Sequence, residues 1–363
     1  MLNGAKKNFG FGCMRLKRLE NGEVDFDNFN QMIDLFMKNG FNYFDTAHGY
    51  IDYKSETAIR ECLVKRYPRE SFVLTNKLSE GFFKTEDEIL PLFNSQLEAC
   101  GVDYFDYYLM HAHNAEYFEK YNRLHAYEIV SDLKKQGKVR HMGISFHDTA
   151  DVLDMILTKR PEIEVVQLQF NYLDLDDERV QAQACYDVCV KHGKDVIVME
   201  PVKGGRLVNL PLAARNVFDR LGGGYAEYAI RFAAGFENVK MVLSGMNDTK
   251  QMEENIRFMK DFKPLSDEEM EAVFKVRSIL ENQDIIQCTA CGYCLAGCPM
   301  NIPIPSVFEL LNKKKLDSSF DFDGEYSKLC ENNGSANDCI SCGQCEGVCP
   351  QKLEIIKLLE AVK

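Results

Sequence analysis

The sequence predicts an α/β fold, a closed (β/α)8 TIM barrel followed by a small α-rich domain, and three observations carry that expectation. Eight apolar runs alternate with eight segments of helical spacing, and the runs are apolar on both faces, as the strands of a buried parallel sheet must be. No G-x-G-x-x-G follows any run, because Gly222-Gly223-Gly224 continues a polar loop, which argues against an open doubly wound dinucleotide fold. The last quarter of the chain holds nine of the 14 cysteines, eight of them in two runs of identical spacing.

Residues 8–16 are the first expected strand, with glycines that let another backbone or a ligand come close. Phe29, Met32, Ile33, Phe36 and Met37 then fall at helical spacing, and Gly40 follows as a C′ residue. The second strand closes at Asp45, with Tyr50 on the loop beyond it. A helix over 59–67 leads to the strand 72–77, ending at Lys77; a helix over 86–99, closed by Gly101, leads to the strand 105–111, ending at His111. Ala126, Ile129, Val130 and Leu133 form a stripe stopped at Gly137, before the strand 139–145. A helix begun near Asp148 precedes the strand 165–169, one over 177–192 precedes 196–199, and one over 225–234 precedes 239–243. After a helix over 249–259, Ser266 with Glu269 three residues on reads as a capping box. The composition then shifts toward cysteine, which places the expected domains at residues 1–280 and 281–363.

In a parallel barrel, chemistry sits at the carboxyl ends of the strands. Asp45, Lys77 and His111 end three successive strands and Tyr50 follows the first of them, so an acid, an amine, an imidazole and a phenol converge on one rim. Alone, each has an ordinary explanation as a helix cap, a solvated strand end or a half-buried loop residue. Their joint placement points to a site. The loop expected over 112–124, with Tyr117, Phe118 and Tyr121, would help to line its pocket, whereas His113 and His147 read more simply as core or loop histidines.

The formal net charge of −13 lacks the basic footprint that nucleic acid or an anionic membrane surface requires. The first residues carry no apolar leader, and no run of about 18 apolar residues occurs, so a cytoplasmic protein is expected. In a reducing compartment, fourteen cysteines point to metal rather than to disulfides.

Cys288-x-x-Cys291-x-x-Cys294-x-x-x-Cys298-Pro299 and Cys339-x-x-Cys342-x-x-Cys345-x-x-x-Cys349-Pro350 resemble the bacterial ferredoxin run that holds two [4Fe-4S] clusters. Zinc prefers paired Cys-x-x-Cys elements. By this resemblance one cluster takes Cys288, Cys291, Cys294 and Cys349, and the other takes Cys339, Cys342, Cys345 and Cys298. The other six cysteines have no such spacing; Cys185 and Cys189, four apart, read as a buried helical face.

Asp45, Tyr50, Lys77 and His111, in that order, resemble the catalytic tetrad of the aldo/keto reductases. The resemblance covers roughly residues 8–262 and includes Gly143-Ile144-Ser145, Gln169, the stretch from Glu200 to Leu207, and Glu254-Asn255. With its tail, the chain is similar to the subset of that family fused to a ferredoxin-like module. The resemblance implies reduction of a carbonyl, or oxidation of an alcohol, with NADP(H) or NAD(H), accompanied by two [4Fe-4S] clusters. It makes a small carbonyl or alcohol the substrate and leaves room for an electron-transfer protein as partner. The rival reading is a non-catalytic protein that senses nucleotide or relays electrons.

By the same resemblance Tyr50 donates a proton, Lys77 supports its phenolate, Asp45 holds Lys77, and His111 orients the carbonyl oxygen. Ser145 and Gln169 would hold the nicotinamide carboxamide, with Asn255 at the adenine end. The sequence departs from the family at several of these places. Phe146 replaces the asparagine usual after the serine, and Met199 replaces the aromatic that stacks on nicotinamide. Gly245 and Gln251 stand where cations usually grip a 2′-phosphate.

Overall fold

The computed structural model describes residues 1–362, so Lys363, the last residue of the expected second domain, lies outside the described residues. Eight strands form one closed barrel: β1 (Phe9–Gly12), β2 (Tyr43–Asp45), β3 (Val73–Leu78), β4 (Phe105–His113), β5 (Val139–Phe146), β6 (Val165–Gln169), β7 (Asp195–Met199) and β8 (Val239–Ser244). They neighbour one another in chain order, β8 closes on β1, and every pairing is parallel. Tyr43, Val73, Tyr107, Leu109, Val165, Ile197, Met241 and Leu243 fill the interior, joined by Leu2. The opposite faces of the same strands pack under the helices, which is why the runs show no polar side. Among the described residues, no helix is long and apolar enough to cross a membrane.

The helices Tyr225–Ala234 and Thr249–Met259 occupy the expected residues, and the Ser266–Glu269 capping box opens the helix Asp267–Glu281. Elsewhere the structure corrects the reading. The first strand stops at Gly12, four residues before the expected end. The helix expected over 59–67 begins at Ser55 and widens into a π turn over Arg60–Val64. The helix expected from 177 begins at Ala182, because Gln181 takes φ 50° and the preceding residues are held in turns by Asn171 and Asp174. The segment expected as a loop over 112–124 contains the helix Ala115–Arg123, capped by Asn114, whose side chain accepts from the Tyr117 N–H. A helix at Leu212–Phe218 has no counterpart in the sequence reading.

The barrel core includes Val273, Val276 and Leu280 of the helix Asp267–Glu281, and a second core starts at Ile286. That core gathers Ile302, Ile304, Val307, Phe308, Leu353, Ile355 and Leu359 around the cysteine runs. The runs adopt the same backbone twice. Gly292 (φ 80°) and Gly343 (φ 76°) precede the short helices Tyr293–Ala296 and Gln344–Gly347. Ala290 and Ser341 share the left-handed region, as do Asn301 and Lys352.

The first of these runs lies against the barrel rim. A Cβ built on Gly204 would stand 2.5 Å from the Thr289 carbonyl oxygen, a gap that only glycine allows. Arg15 donates to that same carbonyl at 2.9 Å, and Lys352 of the second run pairs with Asp148 at 2.9 Å.

Candidate active site

Three successive strands and one loop build the site. Lys77 leaves the end of β3 fully buried, its Nζ 2.6 Å from Asp45 Oδ1 and 2.8 Å from the Thr46 carbonyl oxygen. The other Asp45 oxygen accepts from Gln167 at 3.1 Å, so the pair is hydrogen-bonded on both sides, as a buried ion pair must be. Tyr50 sits over this pair, with the Lys77 ammonium 4.9 Å from the ring centroid. His111 meets Tyr50 edge to face at 6.0 Å between centroids, and its Nδ1 shares a hydrogen with Ser79 Oγ at 2.6 Å. All four predicted residues therefore meet at one point on the rim.

Burial, followed by the Asp45 charge, holds the Tyr50 phenol well above its usual pKa, while the neighbouring Tyr293 hydroxyl pulls it the other way. The sequence reading gives Lys77 the task of supporting the phenolate. In the structure the ammonium is compensated by Asp45, and Tyr50 is a firmly protonated acid. Burial and then the Lys77 charge push His111 well below the usual imidazole value, so it is neutral at neutral pH.

Two adjoining cavities open from this point. The larger, ≈ 1410 Å³, is lined by Tyr50, His111, Tyr53, Phe82, Tyr117 and Tyr293 among others. Of the three aromatics expected to line it, Phe118 and Tyr121 are instead buried; Tyr121 donates to the Leu78 carbonyl at 2.6 Å and braces the strand ends. His147 lines both cavities, and His113 is in the core, stacked on Tyr121.

The second cavity, ≈ 450 Å³, runs from Tyr50 across the mouths of β6, β7, β8 and β1, and Gln169, Met199, Gly245, Gln251 and Asn255 all line it. Asn255 donates to Ser244 Oγ at 3.0 Å, and Gln251 is turned toward Asn247 at 2.9 Å. Ser145 is buried to one side, outside that lining, where its hydroxyl accepts the Ala112 N–H at 2.8 Å. Among the described residues Arg15 is the one Lys or Arg on the lining, which also carries the carboxylates of Asp45, Glu200 and Glu254; Arg15 meets Glu200 at 3.4 Å.

Sequence reasoning missed the part played by the tail. Cys291, Tyr293 and Pro350 line both cavities, and Gln351 lines the second. Tyr293 stands edge to face with His111 at 6.3 Å, its hydroxyl in hydrogen-bonding proximity to that of Tyr50. The signal was present in the comparison of the two cysteine runs. Tyr293 corresponds to Gln344 and Gln351 to Met300, so the copies differ at the positions that reach the barrel.

Cys349 of the second run comes near Cys288, Cys291 and Cys294 of the first. Burial, then the charges of neighbouring groups including one another, push up Cys288, Cys291 (to about 11) and Cys294 (to about 12), and Cys349 is among those neighbours in every case. Cys298, Cys339, Cys342 and Cys345 line a separate small apolar cavity. Backbone N–H groups reach the sulfurs of Cys288 at 3.4 Å and Cys298 at 3.5 Å, a contact that tunes iron-sulfur sites. Among the described residues, no three His, Cys, Asp or Glu side chains close on a single metal ion; a four-iron cluster is a larger guest and spreads its thiolates around itself. Cys185 and Cys189 are buried on one helix face.

A (β/α)8 barrel with a buried Asp–Lys pair, a tyrosine and a histidine on its C-terminal rim, roofed by two matched cysteine runs, defines the class of this protein. The chain belongs to the aldo/keto reductase family, whose model matches residues 8–278, and a 4Fe-4S dicluster domain matches residues 287–354. It is 27% identical over 187 residues to the NAD(P)H-dependent D-xylose reductase of Scheffersomyces stipitis, covering 44% of this chain and 55% of that protein. It is 23% identical over 205 residues to the glyoxal reductase of Bacillus subtilis, covering 55% of this chain and 65% of that one. The chain thus spans little more than half the length of these curated relatives. An aldo-keto reductase from Klebsiella pneumoniae, solved in complex with NADPH, shares the fold with a TM-score of 0.61 at 17% identity, over 74% of this chain and 90% of that one. The holo form of an aldo-keto reductase from Bacillus halodurans does so with a TM-score of 0.61 at 23% identity, over 74% and 91%.

Proposed function

We propose that the protein is a nicotinamide-dependent oxidoreductase that reduces a small carbonyl compound, or oxidises the corresponding alcohol, at the rim where Tyr50 and His111 meet. The observation that carries this reading is the contact of Tyr50 with the Lys77–Asp45 pair at the junction of the two cavities. A bound reduced nicotinamide supplies hydride to the carbonyl carbon. Tyr50, held in its acid form, gives its proton to the carbonyl oxygen. We assign the hydrogen of the Ser79–Nδ1 contact to Ser79, so that the neutral His111 keeps its own on Nε2 and directs it at the same oxygen. Gln169, Met199, Gly245, Gln251 and Asn255 are the cleft residues proposed to hold the nucleotide, with Ser145 supporting the strand end beside them. An anaerobic assay of NADPH and NADH against a carbonyl panel tests the reading; tight nucleotide binding without turnover of any carbonyl would favour the sensor instead. Cysteines engaged by clusters or left as thiols, rather than paired in disulfides, suit a reducing cytoplasm.

The 2′-phosphate should matter little. Gly245 and Gln251 offer no charge-assisted hydrogen bond, and Arg15 is already engaged by Thr289 and by Glu200 at 3.4 Å. Discrimination between NADPH and NADH is expected to stay below about tenfold, or roughly 1.4 kcal/mol. Titrations showing a preference above about a hundredfold would contradict this.

Two [4Fe-4S] clusters are proposed on the eight cysteines, exchanging single electrons with a partner protein, or with the barrel through a bound flavin that would split the hydride pair. Two cysteines proposed as ligands of one cluster, Cys291 and Cys349, line the cavity that holds Tyr50 and His111, which supports a redox role over a purely structural one. With the clusters reduced anaerobically, their absorbance should respond to substrate added with nucleotide. A spectrum indifferent to both, with carbonyl reduction intact in Cys298→Ser, would make them structural.

A further inference from the structure

The amide of Gln169 is met by a second amide from the far end of the chain. Gln351 follows the Cys349-Pro350 end of the second cysteine run, and its Nε2 donates to Gln169 Oε1 at 2.8 Å while its Oε1 accepts from Gln169 Nε2 at 3.2 Å. Gln169 Nε2 also donates to Asp174 Oδ2 at 2.7 Å, and Lys203 Nζ donates to Gln351 Oε1 at 3.2 Å and pairs with Asp174. All four side chains are at most 4% exposed.

The count of donors and acceptors decides what this network can still bind. Both hydrogens of Gln169 Nε2 are used, by Asp174 and Gln351, and both lone pairs of Gln351 Oε1 are used, by Gln169 and Lys203. One lone pair on Gln169 Oε1 and one hydrogen on Gln351 Nε2 are left without a partner among the described residues. An acceptor beside a donor is the complement of a primary carboxamide, and both residues line the cleft below Tyr50. Lys203 and Asp174 fix which end of each amide is oxygen, because the ammonium must face Oε1 of Gln351 and the carboxylate must face Nε2 of Gln169.

Resting on the nicotinamide reading above, we propose that Gln351 of the C-terminal module is a cofactor-binding residue of the barrel. Its free N–H donates to the nicotinamide carboxamide oxygen while Gln169 accepts from the carboxamide nitrogen.

The test uses the intact protein, loaded with its clusters under anaerobic conditions. NADH and its thionicotinamide analogue, whose sulfur is the poorer acceptor, are titrated against wild type, Gln351→Ala and Gln351→Glu, with cluster absorbance and thermal midpoint recorded for each. Wild type should prefer the carboxamide by about tenfold, the usual scale of one hydrogen bond, and Gln351→Ala should weaken NADH about tenfold and lose most of the preference. Gln351→Glu keeps an oxygen for Lys203 but has no N–H, and should lose the preference as well. Unchanged or tighter NADH binding in both variants overturns the proposal, and so does an equal loss for both nucleotides. A wild type that binds neither nucleotide overturns the nicotinamide reading along with it, whereas wild-type binding that ignores Gln351 overturns this proposal alone.

Discussion

Tyr50→Phe is expected to lower carbonyl reduction by about 10² to 10⁴, the range in which loss of a general acid falls. The substitution deletes one oxygen from a buried ring and leaves the Lys77–Asp45 pair and the cleft intact, so nucleotide affinity should stay within about threefold. The phenol pKa is raised, so its acid form persists through the neutral range, and wild-type reduction should hold its rate on the alkaline side until pH approaches or passes about 10. Steady-state kinetics with a titration of nucleotide checks both parts. Turnover within about threefold of wild type would remove Tyr50 from the mechanism.

Lys77→Met should be damaging twice over. It leaves Asp45 buried with only Gln167 as partner, and breaking a buried pair in this way costs about 3–5 kcal/mol. It also removes the cation under the Tyr50 ring, so activity falls as well. Denaturant midpoints separate the two effects. The double variant Asp45→Asn with Lys77→Met leaves no unpaired charge and should recover much of the stability without recovering turnover. If Lys77→Met alone unfolds at the wild-type midpoint, the pair does not brace the barrel as described.

The barrel could be read from the chain because its strands are buried on both faces and therefore stand out as apolar runs, three of which close on a titratable residue that a purely apolar core would not carry. Asp45, Lys77 and His111 are visible for that reason. The helix Ala115–Arg123 escaped because its buried stripe is short, Phe118 and Tyr121, and its start depends on a single Asn114 cap. The start at Ala182 was hidden by the buried turns that Asn171 and Asp174 hold. Least legible was the docking of the cysteine runs. Tyr293 opens a helix of four residues and Gln351 lies in a turn, both too short for periodicity, and their partners His111 and Gln169 are some 180 residues away in the chain, where no local pattern can report the contact. Gly204 passes for a loop glycine until Thr289 is seen against it.

The central claim is reduction of a carbonyl at Tyr50 by a nicotinamide nucleotide, and the direct measurement is the fate of an isotopic label. The cluster-loaded protein is incubated anaerobically with nucleotide deuterated at the nicotinamide C4 and with a carbonyl compound that the panel assay shows to be turned over, and the alcohol is analysed by mass spectrometry. The account predicts one deuterium on the new carbinol carbon, with the labelled alcohol formed about 10² to 10⁴ more slowly by Tyr50→Phe. An alcohol formed without label, or formed equally well by Tyr50→Phe, would contradict it.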